Sequence, residues 1–199
     1  NGWSTPIPVE EIPESSPPHL LFLSNLIPSK GVYVLLDTCR VLKEKGYDFV
    51  CDFVGGETVE ISRLRMEEEI RQRGLEGYVV YHGPQYGEAK ERFFRMADFF
   101  VQPTFEDCFP LTVLEAMQHS LPVVSTDEGA IPDMVIDGET GFICQRRNVD
   151  SLVNAIEKLL TNNELKKQMS RNACLRYKER YTLDAFEKTF QRILSDILN

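Results

Sequence analysis

The sequence predicts an α/β fold, a parallel sheet of about six strands with helices on both faces. Two observations predict it: candidate strands and helices alternate along the chain almost without exception, and the candidate strands are continuously apolar. Strands that are apolar on both faces are typical of a parallel sheet covered by helices on each side. We therefore expect a Rossmann-like sheet whose ligand site lies beyond the carboxyl ends of the strands.

The elements follow in a regular order. Residues 1–18 contain five prolines and are typical of an extended linker. The predicted strands are 19–24, 49–54, 78–82, 98–102, 121–126 and 141–144. The predicted helices are 30–45, 61–73, 87–96, 111–119, a short turn at 131–136, and a helical stretch from 150 onward with breaks near 162 and 182. Gly46 and Gly74 follow the first two helices, as glycine often does at a helix end.

Composition excludes several classes of partner. The net charge of −9, from 22 basic and 31 acidic residues, argues against nucleic acid and against an anionic membrane surface. Five scattered cysteines without a CxxC pair fit a reducing cytosol better than a disulfide framework or a zinc ribbon. His19 and His119 have no acidic or cysteine neighbours at metal-ligand spacing, so we assign no metal.

The segment 102–117 is the most informative part of the chain. It contains the end of a buried strand, an acidic loop with Asp107, and a helix that opens on Pro110 and carries Glu115. A helix N-terminus has free N–H groups and a positive dipole, so a phosphate can bind there. Carboxylates on either side can accept hydrogen bonds from the hydroxyls of a sugar and a ribose. The arrangement suits a sugar nucleotide.

Each of these residues also has a simpler interpretation, which stays open. Glu115 can be a solvated helix glutamate, but its apolar neighbours leave almost no solvated face, so a buried carboxylate with partners is expected. Glu106 and Asp107 can simply stabilise the helix end; otherwise one turns toward sugar hydroxyls and the other toward solvent. Lys30, which opens the first predicted helix, can neutralise phosphate or be an ordinary helix lysine.

Two glycine turns give weaker signals. Gly55 and Gly56 follow the second strand without a GxGxxG pattern, which favours a plain turn. His82, Gly83 and Pro84 end the third strand, where the glycine can let a planar base approach the backbone. A hydrogen-bonded histidine near a turn is the favoured interpretation of His82.

Together these residues resemble the C-terminal, donor-binding half of a GT-B glycosyltransferase of the large retaining family four, or group 1. Leu114-Glu115-Ala116-Met117 matches the second half of the family's E-x7-E motif, and 97–104 resembles the strand before it. The string 21–31 resembles the first strand and its Arg…Lys-Gly loop. The remaining matching strings are 53–56, 81–83, 121–126 and 137–142. Seven strings in the right order make the resemblance specific, and it covers nearly the whole chain.

The resemblance implies roles for particular residues. Glu115 would bind the ribose hydroxyls, Asp107 would contact the donor sugar, and Lys30 would lie beside the diphosphate; these three form the implied catalytic set. The amides from Phe109 to Thr112 would hold the diphosphate, and Gly83 and Pro84 would line the base pocket. The implied donor-binding set is Asn25, Gly83, Pro84, Glu106, Cys108, Phe109, Pro110, Leu111 and Thr112.

Three positions depart from the family pattern. The first motif glutamate is Asp107 here, with Glu106 before it, and either can fill that role. Asn25 replaces the arginine that precedes the Lys-Gly pair, which removes a charge from the phosphate site. Pro110 replaces a loop glycine and suits the first helical position, where no N–H is needed.

The resemblance implies a two-domain transferase that moves a sugar from a nucleotide-diphosphate donor to a hydroxyl acceptor with retention and without a metal or other cofactor. Residues 1–18 would be the interdomain linker, 19–182 the nucleotide-sugar-binding domain, and 183–199 a helix that crosses to a missing N-terminal half. That half would bind a glycan or lipid-linked acceptor. The enzyme would be cytoplasmic, and any contact with the inner membrane would be made by that half. We expect the isolated domain to bind donor without turnover.

Two alternatives to the transferase are kept. A non-catalytic nucleotide-sugar-binding domain is supported by the loss of the cation at Asn25. A sugar-nucleotide epimerase of the same fold is ranked lower, because such enzymes lack the paired-acid loop.

Overall fold

The computed structural model describes residues 17–198, in which one β-sheet lies between two layers of helices. The strands are β1 (His19–Leu23), β2 (Val50–Val54), β3 (Val79–Gly83), β4 (Phe99–Gln102), β5 (Val123–Thr126) and β6 (Gly141–Cys144). The helices are a 3-10 helix (Pro28–Lys30), α1 (Val32–Glu44), α2 (Arg63–Gln72), α3 (Gly87–Met96), α4 (Leu111–Gln118), α5 (Ile131–Met134), α6 (Val149–Thr161), α7 (Asn163–Arg180) and α8 (Leu183–Leu198). The predicted linker 1–18 lies outside the described residues, apart from its last two prolines.

The sheet is parallel throughout, with the strand order β3-β2-β1-β4-β5-β6. This confirms the predicted six-stranded parallel sheet. The order reverses between β1 and β4, which are neighbours in the sheet although two strands separate them in sequence. The loops that follow these two strands lead to helices on opposite faces, which opens a crevice at their carboxyl ends.

The core consists of two apolar layers, one on each face of the sheet. Leu20 and Phe22 of β1 pack with α1, α2 and α6, whereas Leu21 and Leu23 pack with α3, α4 and α5. All four side chains are buried. Because both faces of the strand are covered, the sequence shows a continuous apolar run instead of an alternating one.

The first helix begins later than the predicted 30–45. Lys30 is the last residue of the 3-10 helix, Gly31 has a φ of 85°, and α1 starts at Val32. A Cβ atom on residue 31 would lie 2.2 Å from the main-chain oxygen of Pro103, so only glycine lets the loops after β1 and β4 approach this closely. The expectation that Lys30 opens the helix is therefore wrong; Lys30 ends the short 3-10 helix in the connection between β1 and α1.

The last helix, α8, has a stripe of exposed apolar side chains. These side chains are between 42% and 62% exposed and belong to Leu183, Phe186, Phe190, Ile193 and Leu194. Their spacing places them on one face of the helix. The helix packs on α7. The predicted breaks near 162 and 182 are confirmed by the ends of α6 and α7. Among the described residues, no helix combines the length and the apolar character needed to cross a membrane.

Candidate functional site

The candidate site lies where the loops after β1 and β4 meet. The amide of Phe105 donates to the carbonyl oxygen of Ser29 over 2.8 Å, and the Thr104 hydroxyl donates to the same oxygen over 3.1 Å. These bonds, with the close contact of Gly31 and Pro103, hold the two loops together.

Lys30 and Asp107 form an ion pair in this crevice. The Lys30 Nζ atom lies 2.7 Å from Oδ2 of Asp107 and also donates to the carbonyl oxygen of Glu106 over 3.0 Å. The two side chains of the pair are only 21% and 14% exposed. Glu106, in contrast, is exposed to solvent. The two adjacent acids thus point different ways, and Asp107 is the one beside the lysine.

Helix α4 begins next to this pair. Pro110 is the residue that precedes the helix, not its first residue as expected, and among the described residues no side chain caps this end. Pro110 has no N–H, so the amides available at the helix start belong to Leu111 and Thr112. The Thr112 hydroxyl donates its hydrogen to the buried Gln102 side chain over 2.9 Å. Cys108 and Phe109, just before the helix, are exposed.

Glu115 lies one turn further along α4. The expectation that its carboxylate is buried is wrong. Its carboxylate is 28% exposed, because Leu111 and Gln118 leave that side of the helix open. Its Oε1 atom lies 2.7 Å from Nζ of Lys90, a residue of α3 that is 24% exposed. The carboxylate therefore has a cationic partner already, and its second oxygen remains an acceptor for a ligand.

Asn25 makes a structural contact through its side-chain oxygen. Its side-chain oxygen accepts a hydrogen bond from the Gly56 amide over 3.1 Å. A Cβ atom on Gly55 would lie 1.8 Å from the Ser24 carbonyl oxygen, so the glycine turn packs directly on the loop after β1. This supports the interpretation of Gly55 and Gly56 as a plain turn.

Gly83 and Pro84 lie at the end of β3, the outermost strand of the sheet and three strands away from β4. Gly83 has a φ of 72°, and Pro84 is exposed. Three strand spacings of about 4.8 Å, roughly 14 Å in all, separate β3 from β4. The structure thus brings Lys30, Asp107 and the start of α4 together, and leaves Gly83 and Pro84 at the other end of the same edge.

His82 is a hydrogen-bonded histidine, as favoured. Its Nε2 atom lies 2.7 Å from Oδ1 of Asp52, and its ring contacts Phe93 with centroids 4.5 Å apart. The other oxygen of Asp52 lies 2.7 Å from Nδ1 of His19. The hydrogen bond to Asp52 raises the pKa of His19 despite partial burial. Burial acts to raise the pKa of Asp52, but the hydrogen bonds and charges of the two histidines outweigh it and lower this pKa.

Sequence reasoning missed three cations that lie beside residues of the implied catalytic and donor-binding sets or beside the acidic loop. Lys90 pairs with Glu115, Arg63 lies against Gly83, and Arg147 lies 4.1 Å from the ring centroid of Phe105. Only Arg63 had a usable signal: Ser62 before it is a helix-capping residue, which would have placed Arg63 at the start of α2.

Comparisons with known proteins agree on one family. A family model described as glycosyl transferases group 1 matches residues 7–176. The D-inositol 3-phosphate glycosyltransferase of Paenarthrobacter aurescens (strain TC1) is 26% identical over 156 residues, which cover 78% of this chain and 38% of that protein. The alpha-D-kanosaminyltransferase of Streptomyces kanamyceticus is 27% identical over 169 residues, which cover 84% of this chain and 43% of that protein. The chain spans about four tenths of the length of these relatives.

Solved structures show the same fold. Sucrose-phosphate synthase from Thermosynechococcus elongatus superposes with a TM-score of 0.80 at 21% identity, covering 94% of this chain and 47% of that one. The Anabaena protein HepE, solved in complex with UDP and glucose, superposes with a TM-score of 0.79 at 20% identity, covering 90% of this chain and 48% of that one. The predicted Rossmann-like α/β fold is confirmed.

Proposed function

Because the chain belongs to the group 1 glycosyl transferases, we propose that it is the donor-binding half of a GT-B enzyme that transfers a sugar from a nucleotide-diphosphate donor to a hydroxyl acceptor with retention. One observation carries this proposal: the Lys30–Asp107 pair lies beside the uncapped N-terminus of α4, at the crevice where the strand order reverses.

The crevice has the charges that a departing diphosphate requires. As the bond to the sugar breaks, negative charge builds up on the diphosphate. The Lys30 ammonium and the first N–H groups of α4 would stabilise that charge, because hydrogen bonds between the loops already hold these groups at the crevice. No metal is needed for this role, and we propose that none is used.

The two carboxylates would hold the donor's hydroxyls. Asp107 would accept hydrogen bonds from the sugar, and Glu115, one turn along α4, would accept them from the ribose. The family resemblance implies this order, and two observations support it: Asp107 lies in the loop beside the lysine, and the Glu115 carboxylate is partly exposed on the open side of the helix. The base would then reach toward Gly83 and Pro84.

The acceptor site would come from a second half of the enzyme. The chain spans about four tenths of the length of its relatives. The apolar stripe on α8 would pack on that second half, and the glycan or lipid-linked acceptor would bind there. We therefore propose that the isolated domain binds donor without turnover. Of the structural neighbours, HepE is described in complex with UDP and glucose and TarM of S. aureus in complex with UDP, so uridine diphosphate is the first ligand to test.

Calorimetry with this chain tests the proposal. UDP, GDP, ADP and CMP would be titrated in the presence of EDTA into the parent chain and into Glu115→Gln. We expect selective binding of one diphosphate, weakened about 10- to 100-fold in the variant because hydrogen bonds from the ribose to a charged group are lost. Glu76→Gln, which removes an exposed carboxylate at the opposite edge of the sheet, is the matched control and should bind as the parent does.

A second assay separates the transferase from its alternatives. If the chain alone binds no diphosphate, the full-length protein is incubated with labelled donor and candidate acceptors. A new glycosidic bond supports the transferase. Donor that is isomerised in the absence of acceptor, or donor that binds and stays unchanged with every acceptor class, would overturn it.

A further inference from the structure

Arg63 is fixed by its backbone at the same sheet edge as the candidate site. It is the first residue of α2, directly after the capping residue Ser62. Its amide donates to the Glu57 carboxylate over 2.6 Å. Because α2 follows β2, its N-terminus lies at the carboxyl edge of the sheet, beside the end of β3.

The Arg63 side chain is placed by β3. Its guanidinium carbon lies 4.6 Å from the ring centroid of Tyr81, and the Tyr81 hydroxyl donates to the Gly55 carbonyl oxygen over 3.0 Å, which fixes the ring. A Cβ atom on Gly83 would lie only 2.8 Å from Nη2 of Arg63. The glycine therefore makes room for the guanidinium as well as for the left-handed backbone.

The hydrogen-bond donors of this guanidinium are unused. Within residues 17–198 it donates no hydrogen bond, and its ion-pair partner, Glu67, lies at 3.6 Å with both side chains more than 40% exposed. Such a pair contributes little. Arg65 and Arg71 of the same helix each lie 2.5 Å from a glutamate. Arg63 is thus held in position by an aromatic ring and a glycine, with its fork of donors open.

We propose that Arg63 recognises the nucleobase of the donor and selects bases that carry a carbonyl oxygen at the edge facing β3. This inference rests on the proposed function, which places the base against Gly83 and Pro84. A planar guanidinium donates well to O6 of guanine or to O4 of uracil, the positions at which adenine and cytosine carry amino groups instead. The amino groups of adenine and cytosine are donors and cannot accept from it. Arg63 would therefore favour UDP or GDP over CDP or ADP.

The test compares matched bases in the full chain and its variants. Affinities for UDP, CDP, GDP and ADP are measured in the parent, Arg63→Met, Arg63→Lys and Arg71→Met, and melting curves check that each variant folds. Arg63→Met keeps an apolar stem without donors, and Arg71→Met removes an arginine from the last turn of the same helix.

We expect the parent to prefer the keto base of its pair by about 10- to 100-fold. Arg63→Met should remove most of that preference by weakening the keto nucleotide alone, Arg63→Lys should not restore it, and Arg71→Met should leave it unchanged. An unchanged preference in Arg63→Met would overturn the inference, as would an equal loss for all four nucleotides, which would mean a charge contact with phosphate. If the parent and the full-length protein bind no nucleotide, the proposed function fails, and the inference fails with it.

Discussion

Alanine at position 31 should disturb both the stability of the domain and the candidate site. Gly31 has a φ of 85° and lies against Pro103, where it holds the loop of Lys30 next to the loop of Asp107. The chain contains a matched control, because Gly46 has the same φ of 85° but no atom within 4 Å of the Cβ that alanine would add.

The pair separates backbone strain from steric contact. A left-handed backbone costs an L-residue about 1–2 kcal/mol, so Gly46→Ala should lose about 1 kcal/mol after the entropy gained in the unfolded state is counted. Gly31→Ala has the same strain, and its Cβ would also lie 2.2 Å from the Pro103 oxygen and 2.7 Å from the Pro103 carbonyl carbon. Moving backbone to relieve such contacts costs about 1–3 kcal/mol more.

Urea unfolding of the two variants measures the difference. The free energies of unfolding, compared at equal m-values, should place Gly31→Ala about 1–3 kcal/mol below Gly46→Ala. Because Lys30 precedes Gly31, only Gly31→Ala should also lose affinity for the nucleoside diphosphate. Equal stability losses in the two variants would refute the reasoning, since the close approach to Pro103 would then make no difference.

Three further predictions concern pH, the second ion pair and the exposed thiol. Asp52→Asn should flatten the pH dependence of the unfolding free energy. The lowered pKa of Asp52 stabilises the fold above about pH 4, and this stabilisation is lost as the pH falls through the folded-state pKa. The raised pKa of His19 stabilises the fold below about pH 6.5, and this stabilisation is lost as the pH rises through the folded-state pKa. If the hydrogen bonds of Asp52 to His19 and His82 do not contribute to stability, urea titrations at different pH values will show no such flattening. Lys90→Met should weaken diphosphate binding, yet add nothing to Glu115→Gln, because Lys90 acts through that carboxylate; additive losses in calorimetry would contradict this. Alkylation of Cys108, followed by mass spectrometry, should slow several-fold with bound diphosphate while other thiols are unaffected, and equal reactivity with and without ligand would count against the proposed site.

The fold was predictable because local and global signals agree. A strand such as β1 is apolar on both faces since both faces are buried, and this shows directly in the sequence. Helix ends were predictable to within two or three residues where glycine or a capping residue marks them. The start of the first helix, two residues later than predicted, had no such mark, because the contact of Gly31 with Pro103 comes from the loop after β4, far along the chain.

The partners within the site were not predictable. Lys90 and Glu115 are 25 residues apart in sequence, and Asp52 and His82 are 30 apart. Both pairs depend on how helices and strands pack, which periodicity does not describe. The exposure of one side of α4 was also missed. The apolar neighbours of Glu115 indicate that the whole helix is buried, whereas Leu111 is 60% exposed because no packed element within residues 17–198 covers that side.

On the proposed function, the ion pair between Lys30 and Asp107 makes the affinity for the complete donor differ from the affinity for its diphosphate product. In the structure each charge satisfies the other, at 2.7 Å and mostly screened from water. A diphosphate at the start of α4 would compete with Asp107 for the lysine, and the carboxylate would then need new donors, since an unpaired, poorly hydrated charge is expensive. The hydroxyls of the donor sugar supply them, whereas a nucleoside diphosphate without its sugar does not. The complete donor should therefore bind more tightly than its own diphosphate product through Asp107, which favours product release after transfer.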